Sequence, residues 1–264
     1  MCHKKWRYAS DLREKQWEIL KKFLPERKSR VGRPQEIELR EIFNAILYIT
    51  KTGCQWEFLP KCFPNYNTVF YHYRKWTCLG VWEKVNTALR YLCRIEAGRF
   101  PHPSAGIIDS QSVKTSHRGG VRGYDAGKRV KGRKRHILVD TQGLLLALVV
   151  HSADIQDRDG AKLLCQKLAP ILALRLKKLW ADGAYRGELI AWVKEKIQAE
   201  LEIVSPEAGQ KGFVLLPRRW VVERSFAWLA NYRRLSKDYE LEIASSEAMI
   251  YIASIHTMLK RLAR

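Results

Sequence analysis

Three carboxylates in this chain are placed so that they could act together on a phosphate. Asp109 and Asp182 each follow an apolar run, so each puts a charge beside a predicted core, where it must be paired, hydrogen-bonded or bound to a metal. Glu223 lies on a predicted late helix, on the same face as Arg219. Three such oxygen ligands could hold two Mg²⁺ ions. Two ions about 3.5–4 Å apart clamp the attacking and leaving oxygens of a phosphodiester displacement.

Each of these carboxylates also has a purely structural interpretation. Asp109 could be a hydrogen-bonded residue at the end of a strand, and Asp182 could cap the turn that follows it. Glu223 could form an ion pair with a neighbouring arginine on its own helix. Only the combination of two strand-end aspartates and one helical glutamate favours a metal site over these alternatives.

A second acidic group, formed by Asp154, Asp157 and Asp159, competes for such a role. Asp157 or Asp159 precedes a helical segment that extends to about residue 169, and aspartate is favoured at helix N-caps. We interpret the group as a helix cap and its neighbours. The sequence therefore predicts that Asp157→Ala leaves metal-dependent cleavage largely intact.

The charge of the chain indicates its partner. Among 264 residues, 48 Lys and Arg against 27 Asp and Glu give a net charge of +21, which favours a polyanion, and nucleic acid first. An anionic membrane is the rival partner, but no basic amphipathic helix supports it. Six cysteines without a CxxC pair argue against zinc and a disulfide framework. With no cleavable signal or spanning segment, we expect a cytoplasmic, nucleoid-associated protein without a membrane partner.

The N-terminal part is predicted to be helical. Helices are expected at 8–24 with Ser10 or Asp11 as cap, 36–51 with Gly53 as stop, 69–76 with Asn67 or Thr68 as cap, and 81–96. Short helices with tight turns suit either a helix-turn-helix DNA reader or a plain helical bundle, and both stay open. The predicted boundaries are a helical domain at 1–98, a linker at 99–104 and an α/β domain at 105–264; the family resemblance given below implies that the first binds DNA and the last is catalytic.

The second part shows an α/β pattern. Strands are predicted at 106–114, 136–140, 144–151 (a hairpin across Gln142-Gly143), 177–182 and 202–205, and residues 213–216 form either a further short strand or the lead-in to the next helix. Helices are predicted from Asp157 or Asp159 to 169, and at 188–196, 218–233 and 244–262, with 171–176 as a connection.

Candidate DNA contacts come from four basic regions. They are the segment 26–34, the third predicted helix, the glycine-rich loop 116–135 and the end of the late helix, where cations could neutralise phosphates. A solvated linker or charge run is the alternative for the first and third. The candidates are Arg30, Arg33, Tyr71, His72, Arg74, Lys75, Arg118, Arg122, Lys128, Arg129, Lys131, Arg133, Lys134, Arg135, Arg233 and Arg234.

Long segments resemble one known family. They are IIDSQSVK (107–114), GYDAGKRVKGRKRHILVDTQGLLL (123–146), ADIQDRDGA (153–161), WADGAYRG (180–187) and PRRWVVERSFAWLANYRRLSKDYE (217–240). They resemble the DDE transposases of small bacterial insertion sequences, in insertion-sequence families four and five, and family five in particular. The segments LREIFNAILYITKTGCQWEFLP (39–60) and NTVFYHYRKW (67–76) are similar to that family's N-terminal helical module.

The resemblance implies both a fold and a mechanism. The fold would be an α/β, ribonuclease-H-like catalytic domain with an N-terminal all-α, helix-turn-helix-like DNA-binding domain. Asp109, Asp182 and Glu223 would be the triad that holds two Mg²⁺ ions, with Mn²⁺ as a substitute, and Arg219 would position Glu223 or a phosphate. The enzyme would cleave double-stranded DNA at terminal inverted repeats and join the freed 3′-OH to target DNA, as a homodimer that holds both ends.

The chain departs from the family signature at two positions. Leu216 stands where the family has Tyr, and Ala230 stands where it has Lys. Arg233, Arg234 or Lys237, further along the helix or just beyond it, could contact phosphate in place of that lysine. Two other functions share the pattern: a ribonuclease-H-like nuclease without strand transfer, and a non-catalytic DNA-binding repressor derived from a transposase. The intact triad argues against the repressor.

Overall fold

The computed structural model describes residues 7–25, 37–117, 120–205 and 218–264. They form two compact units. One combines the N-terminal residues up to Ala97 with 230–236 and 248–264, and the other comprises 98–229 and 237–247. The second unit begins close to the predicted boundary at 98. The C-terminal segments 230–236 and 248–264, which were assigned to the catalytic domain from sequence, belong to the unit of the N-terminal helices.

The first unit is helical. Its helices are α1 (Glu14–Leu20), α2 (Leu39–Thr52), α3 (Tyr66–Cys78), α4 (Val81–Glu96) and, from Ala248 onward, the last helix of the chain. Its core is aromatic: Phe43 of α2 lies 6.4 Å from Trp76 and 5.9 Å from Trp82, measured between ring centroids. The apolar residues of α2 recur at helical spacing and therefore lie on one face of the helix. That face packs against the aromatic rings and completes the core.

The helix ends show where the sequence predictions hold. Gly53 ends α2 with φ of 75° and donates its N–H to Ile49 O at 2.8 Å, which confirms the predicted stop. The cap of α3 is Asn65, whose side chain accepts the N–H of Asn67 at 2.9 Å, and not Asn67 or Thr68. The prediction for the cap was wrong because the helix begins three residues earlier than expected.

The first helix is also shorter than predicted. Asp11 accepts the backbone N–H groups of Arg7 and Tyr8 at 2.9 and 3.2 Å, so its carboxylate stabilises the turn before the helix. The helix starts at Glu14, and neither Ser10 nor Asp11 is its cap. Beyond Leu20 the chain continues as a 3₁₀ turn, Lys21–Phe23.

The second unit contains a mixed six-stranded sheet. Its strands are β1 (Ala105–Lys114), β2 (Gly123–Asp125), β3 (Val130–Asp140), β4 (Leu145–Ser152), β5 (Lys178–Ala181) and β6 (Glu200–Ile203). The order is β2-β3-β1-β5-β6, with β4 also paired to β3. β1, β2, β3 and β4 pair antiparallel, whereas β5 is parallel to both β1 and β6. The predicted hairpin across Gln142-Gly143 is confirmed.

The helices of this unit are α5 (Asp157–Gln166), α6 (Pro170–Arg175), α7 (Glu188–Ile197), α8 (Trp220–Ala230) and the first turn of α9 (Ile243–Leu262). α5 and α7 share one buried apolar cluster with β1, β3 and β5, through residues such as Ile108, Leu138 and Leu179. The stretch 171–176 is mostly helical, because Pro170 stands at the first helical position, where its missing N–H is not needed. The predicted connection there was wrong.

The glycine-rich loop predicted at 116–135 is shorter than expected. β3 begins at Val130, and its pairing with β1 extends to Lys114 opposite Gly132. At Gly132 a Cβ would lie 1.9 Å from Val113 O, so only glycine permits this close pairing. Residues 131–135 therefore belong to a central strand. The predicted strand or lead-in at 213–216 lies outside the described residues. No described helix is long and apolar enough to cross a membrane.

Candidate active site

The register of two parallel strands brings the two aspartates together. Ile107 of β1 pairs with Trp180 of β5, so two residues further along each chain stand Asp109 and Asp182. Asp109 is not at the end of its strand as predicted, because β1 continues beside β3 to Lys114. The pairing of β1 with β5 ends at Ile107, whereas its pairing with β3 continues. At Asp109, therefore, the edge of β1 that faces β5 has no paired strand among the described residues.

The Asp109 carboxyl group is partly buried, and its pKa is raised to about 6. Loss of solvation is the main cause, and the neighbouring Asp182 charge adds to it. The Ser110 N–H donates to Asp109 Oδ1 at 2.7 Å and, with the positive charges of Arg219 and Lys128, opposes this rise in the pKa. The carboxylate is therefore held in one orientation but is incompletely neutralised.

Asp182 has a structural contact as well as a position in the site. Its Oδ1 accepts the N–H of Ala184 at 2.9 Å and caps the short 3₁₀ helix Gly183–Tyr185. The capping interpretation of Asp182 is thus correct. Its second oxygen, Oδ2, lies 3.8 Å from Arg219 Nη2. One oxygen fixes the carboxylate while the other faces the site.

Arg219 joins the third carboxylate to this pair. Arg219 lies in the turn directly before α8, and its Nη2 atom is 3.3 Å from Glu223 Oε1 in the first turn of that helix and 3.8 Å from Asp182 Oδ2. The guanidinium is largely buried, whereas the Glu223 side chain is half exposed. A single cation therefore gathers carboxylates from β5 and α8, and Asp182 is also close enough to Asp109 to raise its pKa.

Helix α8, which carries Glu223, is attached to the hairpin between β3 and β4. Ser225 Oγ donates to Gly143 O at 3.0 Å, and Arg224 Nη2 donates to Gln142 O at 3.0 Å. The Arg224 guanidinium also lies over the rings of Trp220 and Trp228, 4.5 and 4.7 Å from their centroids. These contacts fix the angle at which the helix presents Glu223.

The predicted DNA contacts on α3 share one face of that helix. Tyr71, Arg74 and Lys75 are exposed, and Lys75 Nζ lies 5.8 Å from the centroid of the Tyr71 ring. His72 is half-buried, and burial together with the Lys75 charge lowers its pKa. The face is available to a partner, although the described helices do not by themselves establish a helix-turn-helix reader.

The other predicted DNA contacts divide by exposure. Exposed side chains belong to Arg122, Lys128, Arg129, Lys131 and Arg233. Arg30, Arg33, Arg118 and Leu216 lie outside the described residues. Ala230 is exposed at the end of α8, and Arg233 and Arg234 follow in a 3₁₀ turn.

Four predicted DNA contacts are buried, and the structure corrects this prediction. Arg133 has no exposed surface; it donates to Val121 O, Glu240 O and Leu241 O at 2.7–2.9 Å and lies 3.3 Å from Asp238. Its charge and donors are thus satisfied inside the fold, which leaves no donor group facing solvent for a phosphate.

Lys134, Arg135 and Arg234 are also buried, and each is bonded to acceptors inside the protein. Lys134 Nζ lies 2.9 Å from Asp157 Oδ1 and 3.4 Å from Asp125 Oδ2. Arg135 Nη2 donates to the carbonyl of Lys237 at 3.2 Å, and in the helical unit Arg234 Nη1 donates to Cys54 O at 3.0 Å. Sequence reasoning missed these partners because the acceptors, except for Asp125 and Asp157, are backbone carbonyls far along the chain.

The structure also corrects the prediction that Asp157 or Asp159 caps α5. The N-cap position of α5 is Gln156, so Asp157 and Asp159 are the first-turn acids and not its cap. Asp157 Oδ1 instead accepts the hydroxyl of Ser110 at 3.0 Å, directly beside Asp109. The only sequence signal for this role was the position of Asp157 within the ADIQDRDGA segment.

A mixed sheet covered by helices, with two aspartates from neighbouring strands and a glutamate from a late helix, is consistent with a DDE domain of ribonuclease-H-like fold. The chain belongs to the family described as "Transposase DDE domain", which matches residues 101–258. The family described as "Putative transposase of IS4/5 family" matches residues 12–86. The chain therefore carries a transposase DDE domain, and its N-terminal part is similar to the IS4/5 group. Its assignment to family five in particular stays a prediction.

One curated relative is a "Putative transposase for insertion sequence element IS402" from Burkholderia cepacia, which is 31% identical over 115 residues. The matched part is 41% of this chain and 54% of the relative. The chain thus spans about half the length of that relative.

DDE transposase domains normally use divalent metal ions, and the donor set here fits such an ion. Among the described residues, no three His, Cys, Asp or Glu side chains are already gathered at metal-ligand spacing. The carboxylate oxygens of Asp109, Asp182 and Glu223 are nonetheless the hard donors that Mg²⁺ prefers. The raised pKa of Asp109 marks a carboxylate whose charge lacks full compensation, which a divalent cation would supply.

Proposed function

We propose that the protein binds the terminal inverted repeats of an insertion sequence, cleaves the DNA at those ends and joins the freed 3′-OH to target DNA. The observation that carries this proposal is the convergence of Asp109, Asp182 and Glu223 around Arg219. Family membership supports the class of reaction. The relative's name adds only that it is a transposase for an insertion sequence element.

Asp109, Asp182 and Glu223 would hold two Mg²⁺ ions, with Mn²⁺ as a substitute. When bound, the ions supply activation of a water and neutralisation of the charge that develops on the phosphate. Asp109 would be one of the residues that hold these ions, because its carboxylate is largely buried and lies close enough to Asp182 for the two charges to interact. Arg219 keeps Asp182 and Glu223 turned toward each other and balances part of their charge.

Both steps are in-line displacements at phosphorus. In cleavage, a water oxygen bonds to phosphorus while the bond to the 3′ oxygen breaks, which leaves a 3′-OH and a 5′-phosphate. In joining, that 3′-OH bonds to a target phosphorus and displaces the target's own 3′ oxygen. Neither step requires a covalent bond to the protein. Cleavage converts one phosphodiester into a 5′-phosphomonoester and a 3′-OH, with one proton of the water passing to the 3′ oxygen and the other to solvent. Joining exchanges one phosphodiester for another, with the proton of the attacking 3′-OH replaced on the displaced 3′ oxygen.

DNA recognition would use the helical unit and the exposed cations. The exposed face of α3, with Tyr71, Arg74 and Lys75, offers an aromatic ring and two cations for base and phosphate contacts. The net charge of +21 provides the long-range attraction. Because two element ends must be joined together, the active species would be a homodimer. It would act on the chromosome, in the cytoplasm.

The test uses labelled duplexes from both flanks of the coding sequence, incubated with Mg²⁺, Mn²⁺ or EDTA, and a supercoiled plasmid as target. Wild type should nick a flank and join it to the plasmid only with a divalent ion. Asp109→Ala should bind the same duplex and do neither. Nicking without joining would indicate a nuclease, and binding without nicking in the wild type would indicate a repressor. Equal nicking by both proteins would contradict the assignment of the triad.

A further inference from the structure

We propose that Asp157 is a positioning residue that acts on Asp109 through Ser110. This inference rests on the proposed function, in which Asp109 is a catalytic carboxylate. The sequence pattern favoured Asp157 as a residue at the start of a helix, with a metal role as the competing interpretation, and gave it no contact with Ser110. Its surroundings show instead a carboxylate that holds one residue of β1 in place.

Ser110 connects Asp157 to the site. Its hydroxyl donates to Asp157 Oδ1 at 3.0 Å, and its own N–H donates to Asp109 Oδ1 at 2.7 Å. Lys128 Nζ donates to both the carbonyl and the hydroxyl oxygen of Ser110, at 3.1 and 3.0 Å. Ser110, whose N–H orients the Asp109 carboxylate, is therefore held in place both at its hydroxyl group and at its carbonyl oxygen.

Asp157 is itself held by a closed ring of contacts. Lys134 Nζ lies 2.9 Å from Asp157 Oδ1 and 3.4 Å from Asp125 Oδ2. Asp125 Oδ1 accepts the backbone N–H of Lys128 at 3.0 Å, and Lys128 returns to Ser110 through its ammonium group. Hydrogen-bonded rings of this kind are rigid, since each member fixes its neighbours, and every member here except the exposed Lys128 is buried or partly buried. The ring transmits that rigidity to Ser110.

The geometry separates this role from direct catalysis. Successive side chains of a strand point to opposite faces of the sheet, so the Ser110 hydroxyl and the Asp109 carboxylate face opposite ways. Asp157 meets the Ser110 hydroxyl on the face that α5 covers. It therefore acts on Asp109 through the backbone of Ser110 and not through a substrate.

The chain offers a matched control on the same helical turn. Asp159 is also a first-turn acid of α5, but its side chain is exposed and its ion pair is with Lys162, at 3.3 Å. Both residues lie in the first turn, where a negative charge interacts favourably with the helix dipole. A difference between Asp157→Ala and Asp159→Ala thus reports the contact with Ser110 and Lys134, not the helix terminus.

The experiment compares Asp157→Ala, Asp157→Asn, Asp159→Ala and Ser110→Ala with wild type. Single-turnover nicking, the Kd for the duplex, the Tm and the binding of Mn²⁺ alone by electron paramagnetic resonance are measured for each. We expect Asp157→Ala to slow nicking about 10²-fold, the loss typical of a misplaced reacting group. It should also weaken Mn²⁺ binding and change the Kd for DNA less than twofold.

Two further results are expected. Asp157→Asn should restore most of the nicking, because its amide oxygen can still accept the Ser110 hydroxyl, whereas Asp159→Ala should match wild type. The double variant Asp157→Ala with Ser110→Ala should be no slower than the slower single variant, since both act through one hydrogen bond.

Either of two outcomes would overturn the inference. One is nicking by Asp157→Ala at the rate of Asp159→Ala. The other is a loss that follows the Tm, is not rescued by asparagine and adds to the Ser110→Ala effect, as a general destabilisation would. Asp109→Ala in the same assays keeps the two proposals distinguishable: if it still nicks DNA, the proposed function itself fails.

Discussion

Asp109 and Asp182 stand two residues beyond a pair of strand partners, Ile107 and Trp180, and this register alone sets them side by side. The arrangement places two negative charges together at a partly buried position. In the absence of a bound cation this opposes folding, because desolvation and like charge both disfavour the ionised form of Asp109. The site is thus prepared for a cation at a cost in stability.

Replacing Asp109 by asparagine should therefore stabilise the metal-free protein at neutral pH. The folded state raises the pKa of Asp109 from 3.8 to about 6, so it binds that proton more tightly than the unfolded chain does. Stability from this group is present below pH 4 and is lost as the pH rises through about 6. In EDTA at pH 7.5, urea unfolding should show Asp109→Asn more stable by on the order of 1–3 kcal/mol.

Two controls belong to that measurement. At pH 4 the difference between Asp109→Asn and wild type should vanish, and added Mg²⁺ should stabilise the wild type only, because a ligand stabilises the state that binds it. Asparagine keeps an oxygen for the Ser110 N–H, so this hydrogen bond does not confound the comparison. An asparagine variant that is less stable at both pH values would contradict the raised pKa.

Arg219→Gln should slow DNA nicking with little effect on DNA binding. Without the guanidinium, the Asp182 and Glu223 carboxylates lose their shared partner, and the half-exposed Glu223 is free to turn toward water. We expect a loss of about 10²-fold in the single-turnover rate. The nicking rate of Arg219→Lys should lie between those of wild type and Arg219→Gln, since an ammonium group keeps the charge but cannot present two donors in one plane.

The matched control for Arg219 is Arg175→Gln, which removes the same group from a side chain that lies over the Phe100 ring. It lowers the net charge equally, so any effect of charge on DNA attraction is shared. Nicking at equal rates by the Arg219 and Arg175 variants would show that Arg219 does not organise the site.

The sequence was sufficient to predict the strands that carry the aspartates, because apolar runs ending in a charge are local patterns. It also indicated the helix that carries Glu223. The register between β1 and β5 joins segments far apart in the chain, so no local pattern could fix which residue stands opposite Asp109. The helix-turn-helix assignment and the DNA contacts, apart from the four that are buried, stay predictions.

The errors at residues 131–135 have a common physical cause. Glycines and clustered cations usually mark a solvated loop, and here the same composition forms a central strand. What reverses the expectation is a set of acceptors supplied from elsewhere, such as Glu240 O and Asp238 for Arg133. Such partners come from tertiary structure and leave no trace in the local sequence.

Arg133→Gln and Lys131→Gln should separate stability from DNA binding. Removing the buried guanidinium leaves Asp238 without its cationic partner and three carbonyls without the Arg133 donor, which should destabilise the chain by about 3–5 kcal/mol. Lys131, two residues earlier on β3, is exposed, so its variant should unfold within about 0.5 kcal/mol of wild type. Urea unfolding of both variants measures the loss of stability, and the salt dependence of DNA binding by Lys131→Gln measures whether Lys131 contacts phosphate. A stable Arg133→Gln protein would contradict its burial.

Gly160→Ala should destabilise the protein even though alanine favours helices. A Cβ at this position of α5 would lie 2.3 Å from His136 Cε1 and 2.6 Å from His151 Nε2. These two rings are joined by a hydrogen bond of 2.9 Å between Nδ1 and Nε2, and burial lowers the pKa of His136, so the neutral pair cannot separate without losing that bond. We expect a net loss of about 1–3 kcal/mol in the free energy of unfolding in urea.

Gly183→Ala is the control, since a Cβ there meets nothing within 4 Å and should leave the unfolding midpoint unchanged. Equal midpoints for the two variants would mean that α5 does not pack against the histidine pair in solution.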